Sequence, residues 1–361
     1  MRILIDIGHP AHVHLFKNIV LDMQKRGHCF FFTVRTGENE KVLLDELGFQ
    51  YEVIGRKRRG VVLKIAGLVV FTLRIIRISH RFKPDLFLSH GSMYAGYASR
   101  FCRKPHIALE DTGNMEQLMF SIRVSDVILT PDSIIRNLGS KQIKYPGYHE
   151  LAYLSPKYFK PDRNVFNLLG VKPGEKYAIL RFGSWGASHD IGQKGIEMEE
   201  KIRLVNYLVS EMKVFISSEG SLPGTLEQYR IHIPFAQIHN AMAFAYVYIG
   251  EGATMATEAA VLGVPSVYIS SIETYNHTDL INYGILTCIK PSEKSLMEII
   301  DFIKGISMVD IKKRRDAMLS RKTDVVSFLT WFVERWPESY RMTKANPDIS
   351  SGISETISSC L

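Results

Sequence analysis

At 361 residues the chain exceeds the size at which one hydrophobic core stops growing, so two domains are expected. A hydrophobic share of 46% and a mean hydropathy of −0.01 are globular values and argue against an integral membrane protein. The net charge of +8 sits in the first half: residues 1–150 hold 22 Lys+Arg against 14 Asp+Glu, and the remainder holds 23 against 23. Cys29, Cys102, Cys288 and Cys360 lie far apart with no CxxC pair, which argues against disulfides and a cysteine zinc site and fits a reducing cytoplasm. The first residues, "MRILIDIGHPAHVHLF", lack the basic-then-apolar pattern of a signal peptide.

The chain opens with a strand, "RILIDIG" (2–8), and a helix, "HVHLFKNIVLDMQKRGH" (12–28), whose apolar residues recur at helical spacing. A second strand, "CFFFTVRT", the helix "ENEKVLLDELGF" and the short strand "YEVIG" follow. Next come a basic helix, the strand and turn "PDLFLSHGS", the helix "MYAGYASRFC", and the strands "HIALED" and "DVILTPD". The rhythm breaks at "YPGYHELAYLSPKYFKPD" (145–162), which is read as the interdomain hinge, its tyrosines packing it and His149 and Glu150 within reach of a cleft. Alternation resumes with "YAILRFG", the helix "GIEMEEKIRLVNYLVSE", "KVFISSE", the helix "FAQIHNAMAFA", "YVYIG", "TMATEAAVLG" and "PSVYIS". A helical region, 293–336, and a small, polar, disordered end complete the chain. Such alternation predicts α/β architecture, two doubly wound Rossmann-like domains facing across a cleft. The expected limits are 1–150 and 166–342, with a linker at 151–165 and a disordered tail at 343–361. The last helices are free to pack back on the first domain.

Nine basic residues and no acid occupy positions 56–83, interleaved with "VVLKIAGLVVFTLRII", which is too short and too charged to span a bilayer. A buried helix with solvated basic ends and an interfacial helix drawn to anionic lipid both fit. Nucleic acid is not predicted as a partner, because the segment matches no binding motif.

Two loops carry the chemistry. In "YVYIGEGATMATEAAVLG" (246–263) a strand ends in small residues and a helix begins near Thr254. Gly250, Gly252, Ala253 and Met255 surround that helix start, where free N–H groups and the helix dipole attract phosphate, and Thr254 is placed as N-cap. Glu258, one turn further in, is positioned to accept ribose hydroxyls; an ordinary helix carboxylate is the alternative. In "RFGSWGASHD" (181–190), Arg181 suits a diphosphate, Ser184 further phosphate oxygens, and Trp185 either a nucleotide wall or packing. His189 beside Asp190 is a candidate base or a loop cap. Near the N-terminus, Gly8 and His9 sit in a turn expected to face the cleft, and His9 is a second candidate base. His9, His12 and His14 do not have metal-ligand spacing, so no metal is predicted, although a divalent ion accompanying a substrate diphosphate is compatible with the sequence.

The segments "DIGHPAHVHLFK", "KYPGYHELAYL", "ILRFGSWGASHD" and "GEGATMATEAAVLGVP" resemble the family called domain of unknown function 354, over roughly residues 1–335. That family is similar to the GT-B superfamily, which includes nucleotide-sugar glycosyltransferases and UDP-N-acetylglucosamine 2-epimerases. The resemblance implies that Glu258 binds the nucleotide ribose and that Glu110, in "ALEDT", is a catalytic carboxylate, with Glu116 as a second. It also places Ser92, in "HGSM", where the epimerases carry an aspartate, a departure that removes one of their carboxylates. The expectation is a cytoplasmic glycosyltransferase with no cofactor, its substrate a nucleotide-sugar donor, UDP-linked. It would serve surface polysaccharide or glycolipid synthesis, with a lipid-linked acceptor and the inner membrane face as partners through 56–83. A sugar-nucleotide epimerase or hydrolase and a non-catalytic sugar-nucleotide-binding protein are the alternatives.

Overall fold

The computed structural model describes residues 1–56, 61–111, 122–183, 195–218, 220–271 and 274–356. Two compact units result, one of Met1–Tyr153 with Lys322–Leu361 and the other of Leu154–Arg321. The first begins with β1 (Arg2–Ile7), α1 (Pro10–Lys25), β2 (Cys29–Thr36), α2 (Glu38–Glu46), β3 (Tyr51–Arg56) and α3 (Val61–Phe82). It continues with β4 (Leu86–His90), α4 (Met93–Cys102), β5 (His106–Leu109), β6 (Val127–Pro131) and β7 (Gln142–Tyr145). All seven strands are parallel, in the order β3-β2-β1-β4-β5-β6-β7. The central strands β4, β5 and β6 are buried along their whole length, as near-continuous apolar runs in a sheet covered on both faces must be. In α1, Pro10 opens the first turn, and Val13, Phe16, Val20 and Met23 form one buried stripe at spacings of three and four.

The basic segment contributes a core helix. Phe71, Ile75, Ile76 and Ile78 of α3 are buried with Leu4, Ile54, Phe87, Ala95 and Ala98, whereas Val69 and Leu73 are more than half exposed. Among the described residues, Arg74 donates to the Ile54 carbonyl (2.7 Å) and Arg81 pairs with Glu52, which engages both bases in the fold. No described helix is long and apolar enough to cross a membrane.

The second unit contains β8 (Tyr177–Phe182), α5 (Met198–Glu211), β9 (Lys213–Ser218), α6 (Ile238–Ala243) and β10 (Val247–Gly250). After these come α7 (Ala253–Leu262), β11 (Ser266–Ile269), α8 (Tyr275–Asn282), β12 (Leu286–Ile289), α9 (Ser295–Lys304) and α10 (Met308–Leu319). Its five parallel strands run in the order β12-β11-β10-β8-β9. Strands β7 and β12 and helix α8 were not predicted. Each of these strands is a four-residue edge strand, too short to show a period.

From Lys322 the chain returns to the first unit as α11 (Val325–Glu334), α12 (Glu338–Ala345) and α13 (Ile349–Thr356). Val325, Val326, Phe328, Leu329, Phe332 and Val333 of α11 are buried, and Thr323 N–H bonds the Pro146 carbonyl at 2.7 Å. The return at Lys322 replaces the expected second-domain limit at 342. The tail expected to be disordered from 343 is helical through Thr356. Its polar residues bond backbone carbonyls: Thr343 Oγ1 donates to Ser339 O (2.8 Å), Lys344 Nζ to Gln142 O (2.8 Å) and Ser350 Oγ to Pro347 O (2.8 Å). The boundary between the units falls within the expected linker 151–165. Tyr145, Tyr148, Leu151 and Ala152 are buried in the first unit, and the boundary falls at Tyr153.

Candidate functional site

In an open parallel sheet a ligand lies beyond the carboxyl ends of the strands where their order reverses. In the second unit that point is between β8 and β10, whose ends are Arg181–Gly183 and Gly250–Gly252. Gly250 sits opposite Arg181 in the ladder. A Cβ at Gly250 would fall 2.5 Å from the Tyr248 hydroxyl and 2.8 Å from Arg181 Cβ, and one at Gly252 would be 3.2 Å from Arg181 Cγ. The two glycines therefore let the Arg181 side chain lie across the turn. Its guanidinium donates to Ser217 Oγ on β9 (3.0 Å).

Helix α7 starts at Ala253 with Gly252 as N-cap, and no side chain caps it. Thr254 is thus the second helical residue and not the predicted cap. The helix's own first acceptor serves Ala256 N–H, through Gly252 O at 3.1 Å. The N–H groups of Ala253, Thr254 and Met255 precede it, in residues that are only half-buried, and form the positive end of the helix dipole. Glu258 is buried one turn on, with Oε1 3.0 Å from His239 Nε2 of α6. His277 of α8 braces the same turn, its Nε2 3.1 Å from both Ala253 O and Thr257 Oγ1.

Glu251, which the sequence reading passed over, organises the other side of this turn. Its buried carboxylate accepts from Gly183 N–H (2.9 Å) and Ile196 N–H (3.1 Å) and lies 3.1 Å from the buried Lys201 ammonium. The Lys201 ammonium also rests 5.1 Å from the Phe182 ring centroid. One carboxylate thereby holds both flanks of the 184–194 stretch. Ser184, Trp185 and His189 lie within that stretch and, like Glu116, outside the described residues. The signal for Glu251 was an acid between two glycines at a strand end, where a solvent-facing side chain would have no reason to be fixed.

In the first unit the strand order reverses between β1 and β4. Gly8 N–H donates to His12 Nδ1 (3.2 Å), while the exposed His9 caps α1 by accepting from Ala11 N–H (3.2 Å). His14 stacks on Tyr153, away from His9 and His12, whose ring centroids are 6.0 Å apart. Beneath them Asp6 accepts from Thr33 (2.7 Å), Arg35 (2.7 Å) and Ser92 (2.5 Å). The Ser92 hydroxyl also caps α4 through Ala95 N–H. Glu110 is buried at the end of β5.

Next to Glu110 a cluster forms that the sequence did not announce. His90 Nε2 is 2.9 Å from Asp111 Oδ1, and His149 Nδ1 is 3.1 Å from Asp111 Oδ2. The His12 ring stacks on His90 at 4.5 Å. Burial opposes charge on His90, but its bond to Asp111 and the nearby Glu110 outweigh it and raise its pKa. Burial and the adjacent His90 push His12 well below the ordinary value. Burial likewise opposes charge on Asp111, yet His149 and His90 hold its carboxyl well below the usual range. No local spacing links positions 90, 111 and 149; only the adjacency of strands β4 and β5 and the return after β7 brings them together.

His106, at the base of β5, is fully buried between Ser89 Oγ (2.9 Å) and Ser125 Oγ (3.1 Å), and burial pushes it down to about 3. An unfolded histidine takes up a proton below its ordinary 6.5. The contribution of the neutral ring to stability is therefore complete above that pH. It is lost as pH falls towards 3, by roughly 5 kcal/mol in total. Chemical denaturation at pH 7 and pH 4 is expected to show a smaller acid loss in His106→Gln than in wild type. An equal loss in both would mean that other groups carry it.

The described arrangement belongs to a recognisable group. Residues 1–285 match the family model "Protein of unknown function (DUF354)". The chain is a member of the DUF354 family. Another protein, uncharacterized, from Methanocaldococcus jannaschii is 24% identical over 282 residues, covering 74% of this chain and 81% of that one. Among solved structures, a putative UDP-N-acetylglucosamine 2-epimerase from Listeria monocytogenes superposes with a TM-score of 0.65 at 14% identity, over 92% of this chain and 96% of its own. The spinosyn rhamnosyltransferase SpnG, complexed with spinosyn aglycone, superposes at 0.60 and 12% identity, over 93% and 100%. At these identities the likeness establishes the fold: two parallel α/β sheets of the GT-B type, shared by epimerases and glycosyltransferases.

Proposed function

We propose that this DUF354 protein is a GT-B enzyme that takes a UDP-linked sugar and transfers the sugar to an acceptor hydroxyl with inversion. The observation that carries the reading is the start of α7, where uncapped N–H groups, Arg181 and the buried Glu258 surround the switch point of the second sheet. The N–H groups and Arg181 would hold the diphosphate, and Glu258 the ribose. Ser184 and Trp185 would complete the donor site. A base drawn from His9, Glu110, Glu116 or His189 would deprotonate the acceptor as it attacks the anomeric carbon, while the α7 dipole stabilises the departing diphosphate.

Transfer is favoured over epimerisation by Ser92. Its hydroxyl is committed to Asp6 and Ala95 and offers no carboxylate for moving a proton at the sugar. Epimerisation or hydrolysis is the second reading, supported by Glu110 at the end of β5 and by the likeness to UDP-N-acetylglucosamine 2-epimerases. The basic segment 56–83, with the exposed Val69 and Leu73, supports an acceptor carried on lipid at a cytoplasmic membrane face, as in polysaccharide or glycolipid assembly. Incubating the purified protein with UDP-sugars and no acceptor tests the choice. A transferase is expected to leave the donor intact over a timescale on which an epimerase yields a second sugar nucleotide and a hydrolase free UDP. Tight donor binding with no turnover on any supplied acceptor would favour a non-catalytic binding protein.

A further inference from the structure

We propose that His90, Asp111 and His149 form a binding site for a divalent transition-metal ion in the first unit, Zn2+ being the ion that best suits the donors. The three residues stand at the carboxyl ends of β4, β5 and β7, and their ligand atoms all lie within 4.8 Å of one another. Two atoms bound to one tetrahedral zinc at about 2.0–2.1 Å are themselves about 3.3–3.4 Å apart. The separations of 2.9 Å and 3.1 Å from the carboxylate to the two imidazoles are a few tenths of an ångström short of that spacing, so small side-chain shifts would admit the ion.

A hydrogen-bonded relay would account for His90 and not for His149. Although His149 Nδ1 is 3.1 Å from Asp111 Oδ2, it lacks hydrogen-bond geometry, and neither ring nitrogen makes a hydrogen bond among the described residues. The ring is only 4% exposed. An unmatched buried imidazole is costly, and an ion shared with Asp111 and His90 would satisfy it. Two imidazoles and one carboxylate are borderline donors that suit Zn2+, Co2+ or Ni2+ and not Mg2+ or Ca2+. The His12 ring stacked on His90, itself held by Gly8 N–H, fixes the orientation of one ligand. Three protein ligands leave coordination positions open for an oxygen donor.

The test uses the full-length protein, stripped with a chelator and titrated with Zn2+ and with Co2+. A single equivalent of Zn2+ per chain by elemental analysis and visible d–d bands for Co2+ are expected. Asp111→Asn and His149→Gln should each weaken the ion by about 100-fold or more while the metal-free proteins keep their melting temperature. Absence of stoichiometric binding, or unchanged affinity in both variants, would overturn the site. If neither variant folds, proton NMR of the wild-type Co2+ form decides. Two paramagnetically shifted, exchangeable imidazole N–H signals support the assignment, and one or none refutes it.

Discussion

The Glu258→Gln protein is expected to fold normally and to lose the thermal stabilisation that UDP or a UDP-sugar gives the wild type. The amide oxygen of glutamine can still accept from His239, so the 3.0 Å contact inside the second unit survives. A charged acceptor for two ribose hydroxyls does not. Hydrogen bonds to a charged group contribute about 1.5–3 kcal/mol, so affinity should fall by about 10- to 100-fold. Ligand stabilisation follows mass action and therefore reads that loss directly as a shift in the titration midpoint. Wild-type affinity in the variant would make Glu258 a partner of His239 and nothing more. A melting temperature well below wild type before ligand is added would point the same way.

The second large effect concerns Glu251. Glu251→Ala is expected to destabilise the second unit by about 3–5 kcal/mol, because it strands the buried Lys201 ammonium without its anion and leaves Gly183 N–H and Ile196 N–H without an acceptor. Urea unfolding measures this. Adding Lys201→Met should recover part of the loss, since the unpaired charge goes while the two N–H groups stay unsatisfied. The double variant should still bind donor poorly, because the flanks of 184–194 are no longer tied to the turn that precedes α7. A loss below about 1 kcal/mol in Glu251→Ala would mean that water replaces the carboxylate and that the clamp is not structural.

Periodicity and punctuation in the sequence determined most of the secondary structure. Apolar runs ending in glycine became β1 and β10, and stripes such as Val13, Phe16, Val20 and Met23 became helix faces, because each needs only neighbours along the chain. The turn at 250–255 was legible for the same reason: glycines, a strand end and a helix start are local signals. Tertiary structure decided the rest. Strands β7 and β12 carry too few residues for a pattern and are fixed by pairing with β6 and β11. The fate of 322–356 depends on a face of the first unit far away in sequence, against which the apolar side of α11 is buried. Glu251 reads as a loop acid until Lys201, 50 residues earlier, is found buried against it. His90, Asp111 and His149 meet only because parallel strands place their carboxyl ends side by side, so residues separated by whole βα units become neighbours.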